Sequence, residues 1–222
     1  MFKYCVTAAG CVAAGVMLGS CSPRPDFVAR DEPWRADEER SCLTSHVVQE
    51  NPFLTAKSAL GGPSMCGALK PFEMAAAVGG RVAMRPVALL RCQMVPAVES
   101  WVTGVVQPAV RFYYQSELVE LKVAASYGCR PINNVSGGKL SEHGHANAID
   151  IAAFVLADGR TVTVLGGWWG NSRDRAFLKA VHQGGCRSFT TVLGPDYNAQ
   201  HRDHFHLDLA HHGRAGNEHF CR

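Results

Sequence analysis

Two short segments hold half of the chain's ten histidines: SEHGHANAID at 141–150 and HRDHFHLDL at 201–209. Imidazole and carboxylate side chains bind zinc and transfer protons near neutral pH. Two histidines and one carboxylate, with water in the remaining position, are the ligand set of many hydrolytic zinc sites. Together, the two segments predict a metal site that activates water.

The second segment has the alternation of a strand with one polar face. Successive side chains of a strand point to opposite faces, so His204, His206 and Asp208 share one face while the intervening phenylalanine and leucine point to the core. His143 at the mouth of a neighbouring strand, and Asp150 within it, could complete the ligand set. This geometry requires the two strands to lie close together in one sheet.

The spacing of these residues also resembles a known signature. Ser141-x-His143-x(6)-Asp150 and His204-x-His206 are similar to the motifs of the superfamily that contains lysostaphin-type peptidases, D-Ala-D-Ala metallopeptidases and the Hedgehog amino-terminal domain. The resemblance implies that the first histidine, the aspartate and the last histidine bind zinc. It also implies that His204 acts in catalysis.

A second resemblance covers more of the chain. His201 matches the HxxHxH arrangement of the penicillin-insensitive murein endopeptidases. Cys129-Arg130, NAIDIAAFVLADGR and VLGPDYNAQHRDHFHLDLA are similar to the bacterial extensin-like C-terminal domain family, and this likeness runs from about Cys66 to the end. The family name comes from plant wall glycoproteins and carries no mechanistic weight, because the chain has only 11 prolines.

These roles imply the hydrolysis of an amide bond. Zinc would lower the pKa of its bound water from about 15.7 to about 7 and polarise the scissile carbonyl. His204 would orient or deprotonate that water, and His201 would assist it. Asp208 is either an acceptor that fixes the tautomer of His206 or a plain surface aspartate.

Three neighbouring side chains have two interpretations each. Related peptidases use an arginine in the position of Arg130 to hold a substrate carboxylate or the oxyanion; the alternative is a surface arginine beside a disulfide. Ser141 is expected to bond the loop backbone or position His143 rather than act as a nucleophile, because no Gly-x-Ser-x-Gly turn surrounds it. His145 is expected to be a loop residue beside the site, with an alternative role as a ligand.

Other aromatic residues and histidines fall outside the two segments. Trp168 and Trp169, between glycines, could form the wall of a glycan or peptide groove, or pack against the sheet. His211, His212 and His219 have no patterned partner and are predicted to face solvent.

The second half of the chain is rich in predicted strands, which must position the site. A helical first half followed by such strands favours an α+β fold, with an antiparallel sheet that carries the zinc site and packs against helices from the first half. Pro86 is expected to interrupt one strand, Pro108 to start a second helix, and Asp158-Gly159 to form a hairpin. The predicted strands are 82–90, 118–125, 146–156, 160–165, 188–193 and 203–209, and the predicted helices are 92–114 and 173–182.

The amino terminus predicts export. Residues 5–19 carry no charge, and this length suits a secretory signal better than a membrane span. Leu18-Gly19-Ser20-Cys21 resembles the bacterial lipobox, which implies that Cys21 carries a lipid; the alternative is an ordinary cleaved signal peptide. Because Ser22 rather than aspartate follows the cysteine, an outer-membrane anchor facing the periplasm is expected.

The cysteines indicate an oxidising compartment. Of the nine, six lie beyond the predicted signal and lipidation site, and their spacing contains no CxxC pair that would form a thiolate zinc site. Up to three disulfides are therefore expected, with the pairing open. The six are Cys42, Cys66, Cys92, Cys129, Cys186 and Cys221.

The complete expectation is a single enzymatic domain on a membrane anchor. Residues 1–20 are predicted to form a lipoprotein signal peptide, 21–41 a flexible charged tether, and 42–222 one zinc-peptidase-like domain. The expected function is zinc-dependent D,D-endopeptidase cleavage of peptidoglycan peptide cross-links. The alternatives are a D,D-carboxypeptidase and a non-catalytic wall-binding lipoprotein that retains the zinc fold. A net charge of only +3 argues against nucleic acid as a partner.

Overall fold

The computed structural model describes residues 26–222, so the predicted signal peptide and Cys21 lie outside the described residues. The helices are α1 (Pro33–Thr44), α2 (Met94–Trp101), α3 (Gln107–Tyr114), the short α4 (Val164–Gly167) and α5 (Ser172–Gly185), with a π-helical turn (Val102–Val106) between α2 and α3. Within residues 26–222, no helix has the length and apolar character needed to cross a bilayer.

In the part of the chain that the structure describes, eleven strands accompany these helices, and single 3-10 turns occur at Ile132–Asn134, Glu142–His145 and Ala199–His201. The strands are β1 (Leu54–Ala56), β2 (Leu60–Gly61), β3 (Gly67–Ala68), β4 (Phe72–Ala77), β5 (Val82–Leu90), β6 (Leu118–Ala125), β7 (Ala148–Leu156), β8 (Thr161–Thr163), β9 (Thr191–Leu193), β10 (Phe205–Asp208) and β11 (Phe220–Cys221).

Nine of the strands form one sheet in the order β1-β4-β5-β6-β7-β10-β9-β11, with β8 on β7. The predicted α+β class is confirmed, but the sheet is mixed rather than antiparallel, because β5 runs parallel to β6 and β9 parallel to β11. The helical crossover through α2 and α3 returns the chain to the same end of the sheet, which makes β5 and β6 parallel. The first half is also less helical than predicted, since it contributes β1 to β5.

The hydrophobic core lies between the sheet and helices α2, α3 and α5. Trp101 at the end of α2 contacts Phe154 of β7 edge to face, with ring centroids 6.1 Å apart, and its indole N–H donates to the Val181 carbonyl at 3.0 Å. Phe177 of α5 also contacts Phe154 edge to face, with ring centroids 5.2 Å apart. The predicted packing of first-half helices on the sheet is therefore present, with α5 added from the second half.

Two element boundaries differ from the predictions for reasons that the structure shows, and one predicted turn is confirmed. Strand β5 runs through Pro86 without ending, because this proline lies in the bulge where β5 loses its pairing with β4 and no backbone N–H is needed. The predicted strand 160–165 is cut to β8, since the Thr163 hydroxyl accepts from the Gly166 amide at 3.1 Å and starts α4. The predicted hairpin at Asp158-Gly159 joins β7 to β8.

The predicted tether over 21–41 is the largest difference. Helix α1 occupies residues from Pro33 onward and packs on the domain. Glu39 is only 2% exposed, and its carboxylate accepts two backbone N–H groups of the β3–β4 turn. Arg35 forms a two-pronged ion pair with Glu142 in the first histidine segment. The high charge of this stretch indicated solvation, but several of its charges are paired inside the fold.

All six predicted cysteines form disulfides. The pairs are Cys42–Cys92, Cys66–Cys129 and Cys186–Cys221. The first ties α1 to the segment after β5, the second ties the β2–β3 hairpin to the loop before the first histidine segment, and the third ties the end of α5 to β11. Each bond therefore joins segments that are distant in sequence.

Candidate metal centre

A short capped turn presents the first histidine. Ser141 precedes the 3-10 turn Glu142–His145, and its hydroxyl accepts from the His143 amide at 3.4 Å, which is the positioning role expected for it. Ala146 then adopts a left-handed conformation (φ 51°) that turns the chain into β7. Asp150 is the third residue of that strand.

Strand pairing brings in the second segment. Strand β10 is antiparallel to β7, and His206 is the direct cross-strand partner of Asp150. The predicted alternation is present: Phe205 and Leu207 are fully buried in the core, while His206 and Asp208 point to the opposite face. His204 lies immediately before the strand, at the edge of the same site.

Three buried side chains, His143, Asp150 and His206, form a group that could hold a metal ion. Each offers one ligand atom, and these atoms all lie within 4.8 Å of one another. His143 Nε2 is 3.1 Å from one carboxylate oxygen of Asp150, and His206 Nδ1 is 2.9 Å from the other. The two ring nitrogens are 3.2 Å apart. These are the three residues predicted as ligands.

Hydrogen bonds on the far side of each ring set the tautomers. His143 Nδ1 bonds the Ser126 carbonyl oxygen, which can only accept, so this nitrogen carries the hydrogen. His206 Nε2 bonds the carboxylate of Asp208 at 2.8 Å, which leaves Nδ1 without a hydrogen in the neutral ring. Both lone pairs then point toward Asp150, as a metal requires of histidine ligands. Asp208 is 4% exposed, so it is the tautomer-fixing acceptor rather than a surface aspartate.

The electrostatics of the group suit a cation. Burial opposes a charge on His206, but hydrogen bonds from its ring to Asp150 and Asp208 raise its pKa to about 10. Burial likewise opposes the charge of Asp150, yet the neighbouring rings of His143 and His206 hold its pKa well below the ordinary value. In the metal-free protein, a proton on His206 therefore balances the two buried carboxylates. A divalent cation would compete with that proton for the same ring nitrogen.

The two predicted catalytic histidines lie beside this group. His204 Nε2 is 3.7 Å from an Asp150 oxygen, and its Nδ1 bonds Asp203 at 2.8 Å. His201 is buried, its ring centroid lies 5.3 Å from that of His204, and its Nδ1 bonds Asn198 at 2.7 Å. Burial, and then the neighbouring histidines, lower the pKa of His201 to about 4, so this ring is neutral at pH 7.

An open cleft of about 440 Å³ gives access to these residues. Arg130 lines it, with Nη2 at 3.9 Å from an Asp150 oxygen, so its cation faces the metal group rather than distant solvent. Tyr197 lines the cleft as well and contacts His201 edge to face at 5.5 Å. The cleft is therefore large enough for a peptide segment and carries a positive charge beside the ligand group.

The sequence prediction missed part of this cleft. His212 lines it rather than facing open solvent, and its Nε2 lies 2.6 Å from the Thr191 hydroxyl. Phe220 of β11 lines it too. These residues belong to a carboxy-terminal segment that Cys186–Cys221 folds back along β9, so no local motif marked them. His211 and His219 are exposed, as predicted.

Three other predicted candidates lie outside the metal group. His145 faces a separate cavity beside Arg35, where burial and that arginine lower its pKa to about 4, and it contributes no ligand atom to the group. Trp168 is buried against the sheet, with its N–H donating to Asp196 at 2.8 Å. Trp169 is half exposed and does not line the cleft described above.

Comparison with known proteins gives one positive result. The model of the family described as extensin-like protein C-terminus matches residues 40–222, which is most of the chain. Comparison with curated proteins and with solved structures gave no significant match. The match includes both histidine segments, all six disulfide cysteines and every strand of the sheet. On this evidence, the chain belongs to the extensin-like protein C-terminus family.

Proposed function

We propose that the protein is a zinc-dependent peptidoglycan peptidase, most specifically a D,D-endopeptidase that cleaves peptide cross-links. The observation that carries the proposal is the convergence of His143, Asp150 and His206 at the base of an open cleft, with His204 and His201 beside them. Two imidazoles and one carboxylate leave room for water and substrate, which distinguishes a hydrolytic zinc site from a closed structural one.

The residues around the candidate metal group can take different roles in hydrolysis. Zinc, when bound, would supply Lewis-acid polarisation of the carbonyl and make a water acidic enough to ionise near neutral pH. His204, whose side chain is 16% exposed and paired with Asp203, can accept the proton of the attacking water and pass it to the leaving amine. His201, kept neutral, can donate or accept a hydrogen bond at the same point. Arg130 can hold the oxyanion or a substrate carboxylate.

The substrate assignment rests on the motif resemblance to the murein endopeptidases and D-Ala-D-Ala metallopeptidases. A D,D-carboxypeptidase that removes terminal D-alanine is the second candidate, favoured by the cationic Arg130, which suits a free carboxylate. A non-catalytic wall-binding lipoprotein is the third candidate. The pair of histidines beside the ligand group favours an enzyme, because a structural zinc site does not need them.

The proposed location is the periplasm, with a lipid on Cys21 holding the domain at the outer membrane. Three disulfides among the described residues fit this oxidising compartment. Metabolic labelling with a fatty-acid analogue, compared with a Cys21→Ala variant, tests the anchor.

Incubation of the purified protein with cross-linked muropeptides, with and without a chelator, tests the activity. We expect monomeric products that appear with zinc and disappear with the chelator, and mass spectrometry of these products identifies the bond cleaved. Release of D-alanine alone would establish the carboxypeptidase. Absence of any product at saturating zinc, together with tight binding to sacculi, would establish the binding protein.

A further inference from the structure

One tryptophan lies on the surface although its neighbour is in the core. Trp169 is 51% exposed, whereas Trp168 is only 2% exposed. Of the four tryptophans, all within the described residues, Trp169 alone is exposed. A single exposed apolar ring is common on protein surfaces, so the significance of Trp169 depends on the residues that surround it.

The backbone at Trp169 is held in place by its surroundings. Trp168 packs against Phe205 of β10, with ring centroids 5.6 Å apart, and so fixes the adjacent backbone to the strand that carries His206. The turn is tight as well: a side chain at Gly170 would approach the Gly166 carbonyl oxygen to 2.4 Å. A rigid aromatic ring loses little conformational entropy when a ligand binds it.

Trp169 is connected to the cleft through Arg202. The Arg202 guanidinium lies over the indole, 5.2 Å from its centroid. Arg202 directly follows His201, and Tyr197, 42% exposed, contacts that histidine edge to face. We call Tyr197, Arg202 and Trp169 the aromatic and cationic rim: Tyr197 and His201 line the cleft, and Arg202, the next residue along the chain, contacts Trp169.

The chemistry of the rim fits a sugar ring. A flat indole face can stack on the C–H face of a pyranose, and a guanidinium beside it can donate to hydroxyl, acetamido and carboxylate oxygens. A protein partner would need a larger apolar contact, and a membrane surface would need several apolar side chains in one plane. Around Trp169 lie two exposed or half-exposed glycines and Asn171, with Leu165 as the other exposed apolar residue nearby.

We propose that Trp169 and Arg202 bind the glycan strand of peptidoglycan, so that the peptide attached to that strand enters the metal cleft. This inference rests on the proposed function, because it assigns the polymeric part of the same substrate. The rim would act on binding to the polymer and not on the chemical step.

Three variants of the full chain test the proposal. Trp169→Ala removes the ring, Trp169→Phe keeps a stacking face, and Phe112→Ala removes an aromatic residue that is 79% exposed on α3. Each is measured for affinity toward peptide-free glycan strands, for turnover of intact sacculi, and for turnover of sugar-free cross-linked peptides.

We expect Trp169→Ala to weaken glycan binding and sacculus turnover by about tenfold, which is the effect of losing one good stacking contact. Its turnover of sugar-free peptide should stay within about twofold of the unmodified protein, which also shows that it is folded. Trp169→Phe should recover most of the loss, and Phe112→Ala should change none of the three measurements.

Two results would overturn the inference: unchanged glycan affinity in Trp169→Ala, or an equal loss on sacculi and sugar-free peptides. A loss of binding to anionic phospholipid vesicles without a loss of glycan affinity would assign the rim to the membrane instead. If the unmodified protein cleaves neither substrate, the proposed function fails, while the glycan affinities still decide the role of Trp169.

Discussion

The group that each histidine ring nitrogen faces decides what this site can bind. His206 offers Nδ1 to Asp150 and Nε2 to Asp208, while His143 offers Nε2 to the same group and Nδ1 to a backbone carbonyl. His204 has a different environment, because its second nitrogen bonds the exposed Asp203 near the cleft mouth. The two histidines of the HxH motif are therefore expected to respond differently to substitution.

His206→Ala should lose zinc, because it removes one of the three proposed ligands, whereas His204→Ala should keep zinc and lose turnover. We expect a fall of roughly 10²–10⁴-fold in kcat for His204→Ala, the usual contribution of a general base. Metal analysis of the purified variants, together with product assays, measures both effects. Wild-type zinc content in both variants would contradict the roles assigned to them.

Asp208→Asn tests the hydrogen bond that the ring of His206, a proposed ligand, makes with the Asp208 carboxylate. The amide keeps the shape of the side chain but removes the charge that orients His206, so zinc affinity should fall by about 10–100-fold with little change in fold. Competition with a chromogenic chelator measures the affinity. Asp158→Asn, which changes an exposed hairpin aspartate, is the matched control and should leave the affinity unchanged.

At the scale of elements, helix α1 is joined to the turn that carries His143. Arg35 donates to both carboxylate oxygens of Glu142, which immediately precedes His143, and Asn147 donates to the same carboxylate at 2.6 Å. The side chains of the pair are only 12% and 15% exposed, so solvent screens it weakly. The backbone carbonyl of Arg35 also accepts from Arg91. A helix at the start of the described residues thus braces one end of the site.

Arg35→Gln should destabilise the fold by roughly 1.5–3 kcal/mol, because Glu142 loses a charged hydrogen-bond partner in a partly buried position. Zinc affinity should fall as well, since the turn that carries His143 loses its ion pair with helix α1. Urea unfolding and metal competition measure the two effects.

Arg40→Gln is the control for this change, because Arg40 lies on the same helix and pairs with the exposed Asp37. Both measurements should stay near those of the unmodified protein. A charge swap, Arg35→Glu with Glu142→Arg, should recover part of the lost affinity. Equal effects of the two arginine substitutions would contradict a specific role for Arg35.

At the scale of the whole molecule, protonation of the metal group is linked to folding. The pKa of His206 is raised to about 10 in the metal-free fold, against an ordinary value of 6.5. Protonation of His206 therefore stabilises the metal-free fold fully below pH 6.5. Its contribution is lost as the pH rises toward 10. Asp150, whose pKa is lowered, contributes stability above its ordinary value and loses it only as the pH falls further.

The Tm of the chelator-treated protein should consequently fall between pH 7 and pH 9, and His206→Gln should remove most of this dependence. With zinc present, the trend should reverse, because metal binding needs the ring nitrogen free of its proton. Thermal unfolding at several pH values, with and without zinc, measures both slopes. A Tm of the metal-free protein that rises between pH 7 and pH 9 would contradict the raised pKa of His206.

The motif resemblance singled out the group of His143, Asp150 and His206, and the residues by themselves determined the polar face of β10, the α+β class and the number of disulfides. These features follow from local spacing, because a strand alternates its side chains and an even set of cysteines pairs in an oxidising compartment.

Tertiary structure alone decided the pairing of His206 with Asp150, the disulfide partners, the inclusion of α1 in the domain, and the place of His212 in the cleft. Each of these depends on a contact between segments far apart in the chain. The charge of α1 illustrates the reason: composition indicates how much charge a segment carries, but only the folded chain shows whether that charge meets water or an opposite charge.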